Sequence, residues 1–487
     1  MRRHEHVPGS RGDLTPGTRA RGALAPSRYN FAVLSGDGRI ALFNTRTGSL
    51  LELGGAHASD LTDALTDTAV SFTGTELPNE LLAKLVRGGH LVPVGFDELG
   101  AIRESYWRAR DCTPVVVTIT TTMDCNLGCY YCYEERSAER LTTPDVVAIV
   151  ELARRRVEAS VTRALHVDWY GGEPLLNLTF IEEASAALQA DCAARGVSYV
   201  ASIISNGSAW PDDVEDFVSR HRIRQVQISF DGLRANHDKR RRYRKGFGGP
   251  GVSSFDRAVT LVDRLVRCTR VDIRYNIDRG NSGDLLPFIR FARQRGWFDA
   301  VYRAVFQPAR VASYSAASAF MRARELPLEE FDRLRAMVRA ELGPEAPPEE
   351  SEVPDGFPHP KTSVCAALAA NSVVVGADRL TYRCGLQVGE RSRAVGSLSG
   401  HEAPERRPGS DASWWAAFDP TERPPCSACS FLPICWGGCP KRHLEDDGHA
   451  LAEQGRYWRT NLPRLIAKAA GFTTVEQDVI PERLQFR

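Results

Sequence analysis

The chain has 487 residues, of which 43% are hydrophobic and 25% charged, so it has room for two to four globular domains. A formal net charge of +1 excludes an electrostatic case for nucleic acid or an anionic membrane, and no apolar run approaches the ~20 residues of a membrane span. The start of the chain lacks the apolar core of a signal peptide, so its twelve cysteines indicate metal or cluster ligands in a reducing cytoplasm rather than disulfides.

The first 95 residues predict a tail followed by a small domain. Residues 1–27 are rich in Arg, Gly and Pro, a composition typical of disorder. Residues 28–95 contain a hairpin turn at Ser35–Gly38 between apolar segments, which favours a winged-helix-like domain. Its predicted elements are strands at 31–34, 39–43, 49–53 and 90–94 and helices at 57–66 and 79–88. This domain is either a cap that stabilises the rest of the chain or a module whose sheet edge accepts an extended peptide as an added strand.

Residues 96–111 predict a helical linker, and residues 112–310 predict the main domain. Within the main domain six β-rich segments alternate with amphipathic helices, a pattern that implies a parallel sheet. The predicted strands are 115–121, 165–169, 199–204, 225–230, 271–276 and 300–306, and the predicted helices are 143–152, 179–194, 211–221, 255–265 and 284–295. Because six units are fewer than the eight of a closed TIM barrel, we expect an α/β fold with a partial (β/α)6 barrel, whose open side admits a large substrate.

Three cysteines directly follow the first strand of that domain. Cys125, Cys129 and Cys132 lie just past its carboxyl end, the edge at which α/β barrels build their chemistry. Three thiolates suit an iron–sulfur cluster in which one iron lacks a protein ligand. A zinc site and buried free thiols are the alternatives, although a structural zinc ion would require a fourth ligand close by.

The second strand ends in the sequence Tyr170-Gly171-Gly172-Glu173-Pro174. Two adjacent glycines let a ligand approach the backbone closely, and Glu173 adds an acceptor for a cationic group. The motif alone is weak because Gly-Gly turns are common. Its position one β/α unit after the cysteine loop makes the combination specific.

Six further cysteines follow a helical bridge and linker expected over 311–362. They lie within 363–445, before a helical tail expected over 446–487, and are Cys365, Cys384, Cys426, Cys429, Cys435 and Cys439. A zinc ribbon is one interpretation of the last four, and ligation of iron–sulfur clusters is the other. Three remaining cysteines match no ligand position and are expected to be ordinary thiols: Cys112, Cys192 and Cys268.

The cysteine loop, with Tyr131 before its last cysteine, and the glycine motif together resemble those of radical S-adenosylmethionine (SAM) enzymes. The resemblance implies that the three cysteines bind a [4Fe-4S] cluster that chelates SAM, and that Gly171, Gly172, Glu173 and Pro174 contact its methionine amino group. It also implies contacts to the carboxylate and ribose of SAM from the ends of the next three strands. These residues are Ser205, Asn206, Ser229, Asp231 and Asn276. Capping of strand ends is the alternative role for Ser205, Ser229 and Asn276.

The C-terminal cysteines resemble the SPASM domain, which carries auxiliary [4Fe-4S] clusters in radical SAM enzymes that modify peptides and proteins. That resemblance implies one cluster on Cys365, Cys384 and Cys439 and a second on Cys426, Cys429 and Cys435. No cysteine follows Cys439, so His443, a nearby carboxylate or an open iron would replace the usual fourth ligand of the second cluster. The segment Tyr29–Gly48 resembles the leader-recognition region that is fused to many SPASM enzymes.

By these resemblances the chain is identified as a radical SAM/SPASM peptide maturase. Such an enzyme uses a 5′-deoxyadenosyl radical to install an oxidative cross-link, either a thioether or a carbon–carbon (cyclophane) bond, in a ribosomally synthesised precursor peptide. Its implied partners are the leader of that peptide and an electron donor such as flavodoxin or ferredoxin. One alternative is an anaerobic sulfatase maturase that forms formylglycine, but Gly385 stands where that group carries an aspartate base. The other is a peptide-binding scaffold with a decayed catalytic site, against which the intact cysteine loop counts.

Overall fold

The computed structural model describes most of the chain. The described residues are 23–54, 64–67, 71–72, 77–249, 251–313, 316–343, 357–400, 410–473 and 475–479. Residues 1–22 of the expected tail, most of the helix expected at 57–66, and residues 344–356 of the expected linker lie outside them. Among the helices that the structure describes, none is both long and apolar enough to cross a membrane.

The strands and main helices are numbered in chain order. The strands are β1 (Leu24–Pro26), β2 (Asn30–Ser35), β3 (Ile40–Asn44), β4 (Leu50–Leu53), β5 (Leu91–Pro93), β6 (Val115–Thr122), β7 (Ala164–Gly171), β8 (Ser198–Ser205), β9 (Ile223–Phe230), β10 (Arg270–Ile277), β11 (Val305–Arg310), β12 (Val373–Val375), β13 (Leu380–Tyr382), β14 (Gly396–Ser397) and β15 (Val475–Val479). The main helices are α1 (Asn79–Arg87), α2 (Glu98–Asp111), α3 (Asp145–Ala159), α4 (Leu178–Ala194), α5 (Val214–Arg220), α6 (Arg234–Arg240), α7 (Ser254–Leu265), α8 (Leu285–Gln294), α9 (Leu328–Leu342), α10 (Asp411–Ala417) and α11 (Gly448–Ala469). Shorter helical segments lie at Pro174–Asn177, Ser282–Asp284, Ala316–Ala323, Gly385–Gln387, Arg391–Arg393, Pro424–Ser427, Leu432–Cys435 and Pro440–Leu444.

The main domain is built on a sheet with the strand order β11-β10-β9-β8-β7-β6-β12-β13-β14. Its first six strands are parallel and neighbour one another in sequence order, which confirms the predicted parallel sheet. Beyond β6 the sheet continues into the cysteine-rich region, because β12 pairs parallel to β6 with Val374 opposite Thr118. In the described part of the chain β11 pairs only with β10, so the barrel is open at that edge, as expected.

One face of this sheet is apolar and the other is polar. Along β7, Leu165, Val167 and Trp169 are buried in the core between sheet and helices, whereas the alternating His166 and Asp168 are only half-buried. This period of two is what a strand with one face against a core requires. The helices supply the matching apolar faces. In α7 these are the predicted positions Phe255, Ala258, Val259, Val262 and Leu265, all of them buried.

Two C-terminal features of the fold differ from their sequence-based predictions. Strand β11 begins at Val305 instead of residue 300, because Val301 and Tyr302 are exposed in the preceding loop. The tail expected to be helical contains α11 but also β15, which pairs antiparallel with β2. The N-terminal sheet therefore has the order β15-β2-β3-β4, and the last strand of the chain covers its β2 edge.

Helix α11 joins the two ends of the molecule. Its buried Leu462 and Ile466 pack in one cluster with Phe31 and Phe43 of the N-terminal sheet. The predicted β2–β3 hairpin is present, with Leu34 opposite Ile40. Packing of this sheet on α11 fixes the N-terminal domain against the rest of the chain.

Candidate functional site

The three predicted cysteines lie in the loop after β6, at the carboxyl edge of the parallel strands. Burial raises the pKa of Cys125 to about 12 and that of Cys132 to about 11, and a charge on Cys129 contributes to both raised values. The three thiols are therefore close enough to influence one another. Buried thiols of this kind ionise only when a cationic group binds them, which fits ligands of an iron–sulfur cluster.

The zinc alternative and the cluster prediction differ in how the ligands must be arranged. Cysteines that bind a cluster contact different iron atoms, whereas the ligands of a zinc ion converge on one point. Within the described residues, no group of three or more His, Cys, Asp or Glu side chains has the geometry that holds one metal ion. Ligation of an iron–sulfur cluster by Cys125, Cys129 and Cys132 stays a prediction.

The loop is held by a basic segment that the sequence analysis overlooked. Backbone hydrogen bonds run from Gly128 N to Arg242 O at 2.8 Å and from Arg244 N to Asn126 O at 2.9 Å. The Arg244 guanidinium donates to the carbonyl oxygen of Cys125 at 2.6 Å and to Asp124 at 2.5 Å. The run of basic residues at 239–245 was the available signal, but nothing in it predicts which loop it contacts.

A buried network of charges ties Tyr131 to the ends of β9 and β10. The Tyr131 hydroxyl donates to Asp231 at 2.7 Å and accepts from Arg241 at 2.7 Å, and Asn276 lies 3.3 Å from the same hydroxyl. Arg240 bridges Asp231 and the equally buried Asp278. The three predicted residues Tyr131, Asp231 and Asn276 therefore meet at one point, and each buried charge there has a partner.

The glycine motif passes directly under the cysteine loop. A Cβ atom on Gly171, whose φ is 137°, would lie 2.3 Å from the carbonyl oxygen of Thr122. One on Gly172 would lie 2.4 Å from the carbonyl oxygen of Asp124. Both positions therefore require glycine for this close backbone approach. Pro174 is buried and begins the short helical segment that follows.

Glu173 is fully buried and shares a network with two other predicted residues. It accepts from the Ser205 hydroxyl at 2.9 Å and from the Asn206 backbone N–H at 2.7 Å. Burial raises the pKa of Glu173 to about 7, against the effect of these hydrogen bonds. The Asn206 side chain donates to Asn126 at 2.8 Å, so this network reaches the cysteine loop. Ser229 stands apart from it, half-buried near the end of β9 and opposite Arg274 on β10.

The C-terminal cysteines influence one another in two groups that correspond to the predicted sets, and their ligand roles stay a prediction. Burial, together with charges on Cys365 and Cys439, raises the pKa of Cys384 to about 12. In the same way burial and charges on Cys429 and Cys426 raise the pKa of Cys435. Between Cys435 and Cys439 the chain makes a turn of three consecutive residues with left-handed backbone, Trp436, Gly437 and Gly438.

His443 lies beside the second set of cysteines. Its Nε2 atom is 2.7 Å from the carbonyl oxygen of Gly437, a residue that also lies near Cys426 Sγ. Burial lowers the pKa of His443, so the ring is held neutral. A neutral imidazole can ligate iron, but His443 would have to release this contact if Nε2 became a ligand. Of the cysteines with no expected ligand role, Cys192 is buried in the core, Cys268 is half-buried and Cys112 is exposed.

An open parallel barrel with a three-cysteine loop and a glycine turn at its carboxyl edge defines a radical SAM domain. Residues 119–268 match the family model described as the Radical SAM superfamily. Domains of this superfamily bind a [4Fe-4S] cluster and SAM. Cys125, Cys129 and Cys132 are the residues of this chain that fit the cluster.

Two characterised proteins that resemble this chain are anaerobic sulfatase-maturating enzymes. The chain is 32% identical over 125 residues to a serine-type anaerobic sulfatase-maturating enzyme of Klebsiella aerogenes, covering 25% of this chain and 30% of that protein. It is 37% identical over 87 residues to the Klebsiella pneumoniae enzyme of the same name, covering 17% of this chain and 22% of that protein. The chain thus spans less than a third of the length of either relative.

Among solved structures, the fold is similar to that of native anSMEcpe with bound AdoMet and Kp18Cys peptide. The TM-score is 0.52 at 17% identity, and the match covers 74% of this chain and 100% of that chain. At this identity the similarity extends to the fold.

Proposed function

We propose that this protein is a radical SAM peptide maturase that installs an oxidative cross-link, a thioether or a carbon–carbon bond, in a ribosomally synthesised precursor peptide. The observation that carries the proposal is the cysteine loop at the carboxyl edge of an open barrel, beside two further sets of cysteines. All twelve cysteines are unpaired, which supports action in the reducing cytoplasm.

In this proposal some residues of the chain bind the cofactors, and others position the bound SAM and the side chains around it. Cys125, Cys129 and Cys132 would hold a [4Fe-4S] cluster with SAM, which would supply radical chemistry, and the other two sets of cysteines would hold auxiliary clusters for electron transfer. Gly171 and Gly172 leave room for a ligand against the backbone, and Glu173 offers a carboxylate to an ammonium group. The paired charges around Asp231 would hold Tyr131 in place through direct hydrogen bonds.

The proposed substrate is a peptide, for three reasons. The anSMEcpe structure of similar fold carries a bound peptide, the barrel is open at β11, and the N-terminal sheet has a free edge. Because β15 covers β2, the free edge in the described part of the chain is β4. Beside it lies a cavity of about 230 Å³ lined by Leu51, Leu81 and Lys84, where a leader would add as a strand.

Anaerobic reconstitution with SAM, a strong reductant and the peptide encoded beside the enzyme tests this proposal. We expect formation of 5′-deoxyadenosine and loss of two hydrogens per cross-link, measured by mass spectrometry. Flavodoxin or ferredoxin should replace the chemical reductant. Replacement of Cys125, Cys129 and Cys132 by Ala should abolish both products. Absence of 5′-deoxyadenosine from the wild-type enzyme would favour the decayed scaffold instead.

Formation of formylglycine is a second candidate, favoured by the match to the sulfatase-maturating enzymes of Klebsiella. Against it, Gly385 follows Cys384 where that group is expected to carry an aspartate base. Conversion of serine to formylglycine also removes two hydrogens, so mass alone does not separate the candidates. An aldehyde-reactive hydrazide does, because it labels formylglycine and leaves a cross-linked peptide unlabelled.

A further inference from the structure

A long groove separates helix α9 from helix α11 and the segment 357–363. Its volume is about 770 Å³, within the range of roughly 300–1,000 Å³ typical of ligand sites. A second cavity of about 460 Å³ adjoins it at Glu329 and extends to Arg310 at the carboxyl end of β11. The two cavities, here called the channel, share the lining residue Glu329 and follow one another along α11.

This channel connects the two sites of the proposed function. The 22 residues of α11 span roughly 33 Å at 1.5 Å per residue. At one end the helix packs on the N-terminal sheet through Leu462 and Ile466, and at the other Glu453 pairs with Arg310 at 3.3 Å. The turn that precedes β4 also touches the groove, since a Cβ atom on Gly48 would lie 3.0 Å from Pro360. The turn before β4 and the groove are therefore neighbours in the fold.

The groove carries a large excess of positive charge. Two carboxylates line it, Glu329 and Asp332, and the second pairs with Arg335. The lysine and arginine side chains that line it are Arg333, Arg335, Arg339, Lys361, Arg464 and Lys468. Among the residues that the structure describes, no carboxylate lies within ion-pair distance of Arg333, Arg339, Arg464 or Lys468. Like charges gathered in a concavity raise the local concentration of anions.

The groove also contains an unused hydrogen-bond donor. Trp458 lines it, and its buried Nε1 atom has no partner among the described residues. A buried indole N–H normally finds an acceptor. A backbone carbonyl or a carboxylate of a bound chain would supply one.

We propose that this groove binds an acidic segment of the precursor peptide and guides it from the β4 edge to the open side of the barrel. The inference rests on the proposed function and adds the chemistry of the substrate, namely a run of Asp or Glu between the leader and the modified residues. A narrow concave site suits an extended chain, whereas an acidic electron-donor protein would present a broad surface to it. The cations that have no carboxylate partner within the described ranges then provide both affinity and direction.

Fluorescence anisotropy with labelled hexaglutamate tests the groove on the full-length reconstituted enzyme. Arg464→Glu combined with Lys468→Glu should weaken hexaglutamate binding at least ten-fold, and wild-type affinity should fall as salt rises. Both residues are exposed, so the fold should persist, and an unchanged Tm checks this. The matched control combines Arg155→Glu with Arg224→Glu on the exposed surface of the barrel, and its affinity should equal that of wild type.

Three results would overturn the inference: no wild-type affinity for hexaglutamate, equal affinity for hexalysine, or equal losses in the control variant. If the groove variant instead slows reduction by flavodoxin while hexaglutamate affinity is unchanged, the groove belongs to an acidic protein and the proposal is wrong. Loss of hexaglutamate binding in the groove variant alone supports the groove even if no peptide is modified. That combination would refute only the proposed function.

Discussion

The guanidinium of Arg244 donates to the carbonyl oxygen of Cys125 at 2.6 Å, although the two residues are 119 positions apart in the chain. With the backbone contacts of Gly128 and Asn126, this bond makes the cysteine loop part of the segment that follows α6. The conformation of the cluster loop therefore depends on residues of the fourth β/α unit.

Removal of this contact should loosen the loop. We expect Arg244→Ala to cost about 1–2 kcal/mol of loop stability, because a charge-assisted hydrogen bond is lost at a partly exposed site. Iron content after reconstitution and the rate of 5′-deoxyadenosine formation should fall together, the rate roughly ten-fold. Arg234→Ala, which removes an exposed guanidinium from α6, should leave both values at the wild-type level.

The close backbone approach under the loop gives a second prediction. Gly171→Ala should destabilise the fold by about 3 kcal/mol or more, since its Cβ would lie 2.3 Å from Thr122 O in a backbone region unfavourable to alanine. Gly283→Ala is the control, because its Cβ would meet no atom within 4 Å. Urea unfolding of both variants measures the difference, and equal midpoints would contradict the assigned backbone path.

Glu173 makes the stability of the apoprotein depend on pH. Burial raises its pKa from 4.5 to about 7 in the folded state, so the folded protein holds this proton more tightly than the unfolded chain does. Stability from this group is therefore complete below pH 4.5 and is lost as pH rises to 7, a change of about 3 kcal/mol. Glu173→Gln should remove this dependence. The difference in free energy of unfolding between wild type and variant, measured from pH 4.5 to 8, should shift in favour of the variant, and a constant difference would refute the prediction.

The free edge of the N-terminal sheet can be identified by mutation. Leu51→Asp on β4 should weaken binding of the precursor leader at least ten-fold, because it replaces an apolar side chain in the cavity beside the edge with a carboxylate. Truncation after residue 473 removes β15 and should leave leader affinity unchanged. Isothermal titration with the leader peptide measures both. If Leu51→Asp left the affinity unchanged and the truncation changed it, the leader would instead compete with β15 for the edge of β2.

The two C-terminal sets of cysteines should lose iron independently. Cys435→Ala should lower the iron content by one cluster while uncoupled cleavage of SAM continues, because the radical site lies on other strands. Cys365→Ala should have the same effect on the other set, and the two losses should add in the double variant. In the wild-type protein His443 contacts the carbonyl oxygen of Gly437, so the His443→Ala variant should retain its full iron content. A loss of iron from this variant would identify His443 as a ligand.

Strands β6 to β10 agree with their predicted positions to within a few residues. In these strands, apolar residues that pack against the helices alternate with polar residues, and this alternation is visible in the sequence. The prediction is wrong at the start of β11, where Val301 and Tyr302 are apolar but exposed. It also omitted β15, whose sequence Val475–Val479 contains three polar residues and has no apolar face to indicate a strand. That strand exists because the edge of β2 supplies its hydrogen bonds.

The amino-acid sequence by itself determined the chemistry of the cluster loop and the presence of the glycine turn. Cys125, Cys129 and Cys132 fall within eight residues, so they share a loop whatever the rest of the fold does, and Gly171 and Gly172 are adjacent in the chain. That both positions need glycine follows only from the tertiary approach to Thr122 and Asp124. Only the tertiary structure decided that Arg244 holds the cysteine loop and that β15 leaves β4 as the free edge of the N-terminal sheet. The same is true of the cationic groove between α9 and α11. These relationships depend on packing between distant segments, and a local pattern carries no record of which surfaces the folded chain brings together.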